Sequence, residues 1–288
     1  MAAAVVFALA TSAVLLGMVY FRRYRITRPP LGVMTLGDVA FMLGAIVLIP
    51  YLYLRLPGWL VAGLLAISAF GLLQVLFEPM VRPSRMSWLI AAIIVVADIV
   101  LARQLGAASL AYLAGNDVVL VLLAVAVTNV WAQSGMRARD LALLGAGLAI
   151  YDVVATALLP LTGELMARLA GLPLTPVVAW PTDAGGWLGL GLGDLLLATA
   201  GPLVFRKAFG RTAGRIAAVI ALAAIALPLL LVLSGRYAGA FPVMVLLGPA
   251  MVTQYLFWLR ANGRERTTIE YVRDEAGVEE SRSRGVEE

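Results

Sequence analysis

Apolar stretches of about 20 residues, the length that crosses a bilayer as a helix, recur along this chain, separated by short runs holding arginine, proline and glycine. Nine stand out, near residues 1 to 20, 35 to 55, 58 to 79, 87 to 103, 117 to 133, 141 to 160, 186 to 205, 214 to 234 and 240 to 260. The fifth could equally begin earlier, because GAASLAYLAG ahead of it is apolar too. The pattern predicts an all-α polytopic membrane protein with nine transmembrane helices. Residues 1–260 form one membrane domain, with helices one to five in 1–140 and six to nine in 141–260. Residues 261–288, charged and poor in apolar side chains, read as a mobile cytoplasmic tail.

Composition agrees with a bilayer as the solvent. The chain is 62% hydrophobic with a mean hydropathy of +0.94, against roughly 45–50% apolar in an ordinary soluble domain. Cysteine and histidine are absent. That excludes disulfides, thiol nucleophiles, Ser-His hydrolysis and zinc sites of the HExxH kind. Any chemistry rests on carboxylates, hydroxyls or arginines, and no metal or organic cofactor is implied. Lys and Arg exceed Asp and Glu by 22 to 17, but their positions favour membrane topology over a nucleic-acid partner.

With the N-terminus outside, the inner connections and tail hold Arg22, Arg23, Arg25, Arg28, Arg82, Arg85, Arg137, Arg139, Arg206, Lys207, Arg211, Arg215 and six arginines from Arg260 onward. The outer side keeps only Arg55, Arg103, Arg168 and Arg236. This is the positive-inside pattern, and gaining or losing one span would scramble it. The first span has four arginines after it and none before it, the reverse of a secretory signal peptide. It is therefore expected to be retained. Small size and short loops point to a prokaryotic plasma membrane. No internal repeat is visible.

The acidic residues sort by depth. Eight of the 17 lie in the tail, and Asp117, Asp140, Glu164 and Asp183 fall at predicted helix ends or in connections. Asp38 and Glu78 lie near inner ends, where water is in reach. Asp98 is deeper, about one turn from Arg103; a local or interhelical ion pair is expected for it, with a place as a third functional carboxylate as the alternative. Asp152 in YDVVAT and Asp194 in GLGD remain. Each lies eight residues from the outer end of its predicted helix, about 12 Å at 1.5 Å per residue. A single aspartate at helix centre costs on the order of 2.5–3.5 kcal/mol even on a lenient scale, so two at matching depth imply a use.

Two neighbouring carboxyls in a dry site hold one proton between them. One can then activate water while the other protonates a carbonyl oxygen or leaving amine. Gly189, Gly191 and Gly193 remove side chains where a helix or a substrate backbone must approach. The same pair would also serve a proton-coupled transporter or ion pathway. A non-enzymatic scaffold would need neither carboxylate.

Taken together, these motifs resemble the intramembrane aspartyl proteases of the presenilin and signal peptide peptidase family. That family has nine helices, with YD in the sixth, GxGD in the seventh and PAL at the start of the ninth. Tyr151-Asp152 and Gly191-Leu192-Gly193-Asp194 match the first two on the expected spans. Pro242-Val243-Met244 departs from PAL, but it opens the ninth span and Pro249 follows, as in signal peptide peptidases. The resemblance implies a catalytic dyad of Asp152 and Asp194, supported by Tyr151, Gly191 and Gly193. It assigns substrate binding to Pro242, Val243 and Met244.

Between the two catalytic helices, Pro176 and Pro181 bracket Val177, Val178, Ala179 and Trp180. Such a segment is expected to be extended. In the family the corresponding region helps hold substrate as a strand, which adds Val177, Val178 and Ala179 to the substrate site. The alternative is an ordinary interfacial loop anchored by Trp180. The implied partners are transmembrane peptides with a cytoplasmic N-terminus, and the lipid bilayer. Type IV prepilin peptidases share GxGD, but Leu195 stands where they usually have lysine. The resemblance is carried by Leu141 to Arg260; the first five helices match in number and hydrophobicity alone.

Overall fold

The computed structural model describes residues 1–26, 34–106, 108–159, 161–182, 187–235, 241–268, 270, 271 and 273. Arg28, Pro160, Asp183, Gly186, Arg236 and the tail beyond Arg273 lie outside the described residues. Among those described, the order is α1 (Ala2–Arg23), α2 (Leu36–Arg55), α3 (Gly58–Phe77), α4 (Arg85–Leu105), α5 (Leu110–Gln133) and α6 (Ala138–Asp152). A π-helical turn (Val153–Leu158) and α7 (Leu161–Leu169) follow, then strands β1 (Val177–Pro181) and β2 (Trp187–Gly191). The chain continues as α8 (Leu192–Phe209), α9 (Arg211–Leu233) and α10 (Met244–Asn262).

Each of the nine apolar stretches contains a helix, of 15 to 24 residues. Six helices, α1 to α5 and α9, are long and apolar enough to cross a membrane. A seventh span results if α6 with its π-turn and α7, bent by 84°, count as one. Large apolar side chains such as Phe41, Trp59, Ile67 and Val219 point outward, a surface suited to lipid rather than water. The chain is a multi-pass membrane protein. The helices α8 and α10 fall outside the six because of their polar content. Asp194, Arg206 and Lys207 lie within the 18 residues of α8, and Gln254, Arg260 and Asn262 lie on α10.

Helix α5 is the central element, buried on most of its length and packed against α1, α3, α4, α8 and β1. It begins earlier than residue 117. Ser109 accepts the backbone N–H of Tyr112 at 3.2 Å and caps the first turn, satisfying a helix-end donor. Asp117 is consequently interior to the helix and fully buried, not at a helix end as its position in the sequence suggests.

The seventh stretch differs as well. Residues Trp187–Gly191 are a strand, antiparallel to β1 with Val177 opposite Gly191 and Ala179 opposite Gly189. The helix starts only at Leu192, so Asp194 lies in its first turn and not eight residues inside it. The reason is local: glycine at 189, 191 and 193 weakens helix, and β1 supplies a strand partner. A side chain at Gly189 would lie 3.0 Å from Val177 Cγ1 and 3.3 Å from the Val178 carbonyl.

Helix α10 packs along α6, and at Gly145 and Gly248 the two backbones come close together. A Cβ on Gly248 would strike the Gly145 carbonyl and come within 2.7 Å of Ala149 Cβ. Such close approach is the usual device for joining helices in lipid, where dispersion contacts replace the hydrophobic effect.

Near the C-terminal end of α5, the Lys207 side chain is buried and donates to the Ala132 and Met136 carbonyls at 2.8 and 2.7 Å. It thereby satisfies acceptors that the C-terminus of α5 leaves open.

The first part of the tail is docked, contrary to the expectation of mobility. Glu265 accepts the N–H of Ala138 at 3.0 Å. Tyr271 is buried, with its ring stacked on Phe21 and beneath the guanidinium groups of Arg25 and Arg266.

Candidate active site

Asp152 is the last residue of α6, and the π-turn begins beside it. The break is written locally. Leu159 precedes a proline, and its φ of −120° and ψ of 146° are the extended values that a following proline favours. A π-turn inside a helix widens the backbone where a side chain must be aimed. Asp152 uses both carboxyl oxygens: Oδ1 accepts the Thr156 hydroxyl at 3.0 Å and Oδ2 accepts the Met244 N–H at 3.1 Å.

That second contact brings the Pro242-Val243-Met244 segment to the dyad. Met244 is the first residue of α10, where an N–H has no partner within its own helix. The partial positive charge of a helix N-terminus favours a carboxylate there. Val243 and Met244 are buried and Pro242 is half-buried. Proline before the helix loses nothing by lacking an N–H.

Asp194 approaches from α8, near enough for its carboxyl to interact electrostatically with Asp152. It too lies at a helix N-terminus, in the first turn. Its Oδ2 lies 3.2 Å from where a Cβ on Gly191 would be, so a side chain at 191 would crowd the carboxylate. Gly193 is exposed, and a Cβ there would have the Met244 methyl as its nearest neighbour at 3.8 Å. Tyr151 is half-buried beside Asp152, within electrostatic reach of Tyr51 on α2 as well.

The hairpin leads directly into this cluster. Leu192 N–H donates to the Pro176 carbonyl at 2.9 Å, so β1 starts alongside the first turn of α8. Val177 is therefore the β1 residue nearest Asp194 along the ladder, with Val178 and Ala179 successively farther away. Val178 is fully buried while Val177 and Ala179 are half-buried. The structure thus brings Asp152, Asp194, Gly191, Gly193 and Met244 together, with Tyr151, Val177, Val243 and Pro242 adjoining and Val178 and Ala179 up the hairpin.

Asp98 is a correction. It forms no pair with Arg103, which is exposed. Its Oδ2 accepts the N–H of Leu174 at 2.7 Å, holding a residue whose φ of 58° is left-handed. That conformation costs a non-glycine residue roughly 1–2 kcal/mol, and this buried hydrogen bond counters it. Asn116, Tyr112 and Thr175 tie the same loop. Asn116 donates to the Thr175 carbonyl at 3.0 Å and Tyr112 to the Leu172 carbonyl at 2.8 Å.

Three contributors went unread in the sequence: Thr156, Asp117 and strand β2. Thr156 was recoverable, since it follows Asp152 by four residues, one helical turn away on the same face. Among the described residues no group of three carboxylates converges as a metal site. No protein-family model matches this chain, and comparison with curated proteins finds no match.

Proposed function

We propose that this chain is an intramembrane aspartyl endopeptidase of nine transmembrane helices, hydrolysing peptide bonds within transmembrane segments or signal peptides. The observation that carries this reading is the convergence of Asp152 and Asp194 at two helix termini, with the Met244 N–H on Asp152. The orientation that goes with it is N-terminus outside and C-terminus cytoplasmic, in a prokaryotic plasma membrane. Substrates present a cytoplasmic N-terminus.

The chemistry follows from one proton shared between two carboxyls. The ionised group takes a proton from water as the oxygen attacks the peptide carbon, and the neutral group protonates the carbonyl oxygen. Collapse of the tetrahedral intermediate breaks the C–N bond, and the amine leaves with a proton from the dyad. The pair titrates as a unit, so neither aspartate holds one role throughout. A helical peptide bond is shielded by its own hydrogen bonds, and pairing with the β1–β2 hairpin would compensate for unwinding it. None of these steps calls for a metal or cofactor.

The bend after Asp152 also favours a second reading. Broken helices carrying a carboxylate recur in ion-coupled transporters. The deciding experiment is cleavage of a single-span reporter by purified protein in liposomes, comparing wild type with Asp152→Asn and Asp194→Asn. Cutting by wild type alone, with both variants folded, supports the protease. Proton flux without cleavage, lost in the same variants, supports the transporter.

A further inference from the structure

Thr156 and Thr162 form a short hydroxyl chain behind the dyad. Thr156 Oγ1 lies 3.0 Å from Asp152 Oδ1 and 3.0 Å from Thr162 Oγ1. Thr162, across the helix break on α7, donates to the Ala155 carbonyl at 3.1 Å. Either hydroxyl can donate in the contact between Thr156 and Thr162; with the Thr162 proton on the Ala155 carbonyl, the donor between them is Thr156. The single Thr156 proton then has two acceptors within reach, the carboxylate and the Thr162 oxygen.

This arrangement serves both states of Asp152. When the carboxyl is ionised, Thr156 donates to Oδ1. When it is neutral, the Thr156 hydroxyl rotates to donate to Thr162 and accepts from the protonated carboxyl. Nothing is transferred along the chain; one hydroxyl turns, and in both states the partly buried carboxyl keeps Thr156 as a hydrogen-bond partner. Valine at 156 would match the shape and abolish both bonds, leaving Oδ1 unsatisfied in its charged form, where an unmade bond is most expensive.

We propose that Thr156 is a positioning residue for Asp152, keeping the carboxyl hydrogen-bonded through both halves of the hydrolytic cycle, with Thr162 as its alternate acceptor. The inference rests on the protease reading above. It requires the second Thr156 acceptor, which distinguishes it from simple packing of the π-turn. Because the contacts of Thr156 are to Asp152 and Thr162, its loss should act on turnover.

The test is steady-state cleavage of the single-span reporter by the full-length protein in liposomes, with wild type, Thr156→Val, Thr156→Ser, Thr162→Val and Asp152→Asn. Thr156→Val is expected to lower kcat on the order of 10–100-fold, the size of a lost hydrogen bond to a charged group, with KM within about twofold. Thr156→Ser should restore most of the rate, and Thr162→Val should lower kcat less than Thr156→Val. If Thr156→Val does not fold, the Thr156→Ser and Thr162→Val pair decides. Serine at near wild-type rate with Thr162→Val reduced in kcat alone supports the proposal, and Thr162→Val at full rate overturns it. Cleavage by wild type, silence of Asp152→Asn and full kcat in Thr156→Val overturn this inference alone. A wild type that cuts no reporter overturns the protease reading and this inference with it.

Discussion

Asp117 on α5 accepts the indole N–H of Trp180 on β1 at 2.6 Å, joining the central helix of the molecule to the hairpin that leads to Asp194. Trp180 opposes Leu188 in the sheet, so the bond fixes the hairpin by its far end. Trp180→Phe keeps the ring and removes the donor. Loss of a buried bond to a carboxyl corresponds to about 1.5–3 kcal/mol. Thermal unfolding in detergent should show Trp180→Phe and Asp117→Leu each destabilised, and the double variant destabilised by less than their sum. Strict additivity would mean that the two side chains are not coupled.

The α6 and α10 contact and Gly193 of the GxGD segment make opposite demands on a methyl group. Gly248→Ala puts a Cβ into the Gly145 carbonyl, with Ala149 Cβ also 2.7 Å away. Overpacking of this kind costs typically 1–3 kcal/mol. It would also push α10 off α6 and lengthen the bond from Met244 to Asp152. Gly193→Ala meets nothing nearer than 3.8 Å, so its unfolding temperature should stay close to wild type. Cleavage is the second readout: loss in Gly193→Ala with stability intact means that the space over Gly193 belongs to substrate. Full activity there removes Gly193 from the substrate path.

Much of the helix inventory was legible because a bilayer demands apolar runs of a set length. What the runs could not convey was where secondary structure changes inside them. Trp187–Gly191 is as apolar as the helix after it, and short apolar runs do not distinguish strand from helix by periodicity. Its strand identity comes from Val177–Pro181 across the hairpin, a nonlocal partner. Val177 to Trp180 themselves were readable, because flanking prolines and β-branched residues act locally. Asp117 was misplaced for a related reason: the start of α5 lay inside continuous apolar sequence, and Ser109 was the cue that moved it. Of the site, YD and GLGD announced themselves by cost, since a carboxylate in lipid has to be explained. Thr156 carries no such cost; its spacing from Asp152 is local, and it is the contact with Thr162 across the bend that only the fold supplies.

Glu270 makes the docked tail sensitive to acid. Its carboxylate accepts the Thr267 N–H at 2.8 Å and the Arg264 guanidinium at 2.8 Å, which lower its pKa from 4.5 to about 2, the Thr267 bond contributing most. A carboxyl lowered when this local turn of residues 264–270 forms stabilises the turn above its ordinary value, and that contribution is lost as pH falls through about 4.5 towards 2. Limited proteolysis with an acid-active protease should therefore find the segment around Tyr271 protected near pH 5 and progressively open towards pH 2. Glu270→Gln should open it partly at every pH. Equal protection of wild type and variant throughout would show that Tyr271 and Glu265 hold the tail without Glu270.

The absence of cysteine makes the nine-span topology directly measurable, because every introduced thiol is the only one present. Gln104, Ser234, Ser84 and Asn262 are all exposed and lie beyond the ends of α4, α9, α3 and α10 or at their last turn. With the N-terminus outside, a membrane-impermeant maleimide added to intact cells should label Gln104→Cys and Ser234→Cys. Ser84→Cys and Asn262→Cys should react only after permeabilisation. The pair flanking α10 carries the most information, since α10 is not among the helices that are long and apolar enough by themselves to cross a membrane. If residues 234 and 262 react from the same side, α10 does not cross, and the Met244 end of the helix would contact Asp152 as part of a re-entrant element. Opposite sides make α10 a span whose N-terminus lies on the outer side. The bond between Met244 and Asp152 would then place the dyad nearer the outer surface than the cytoplasm, and water would have its shorter route from that face.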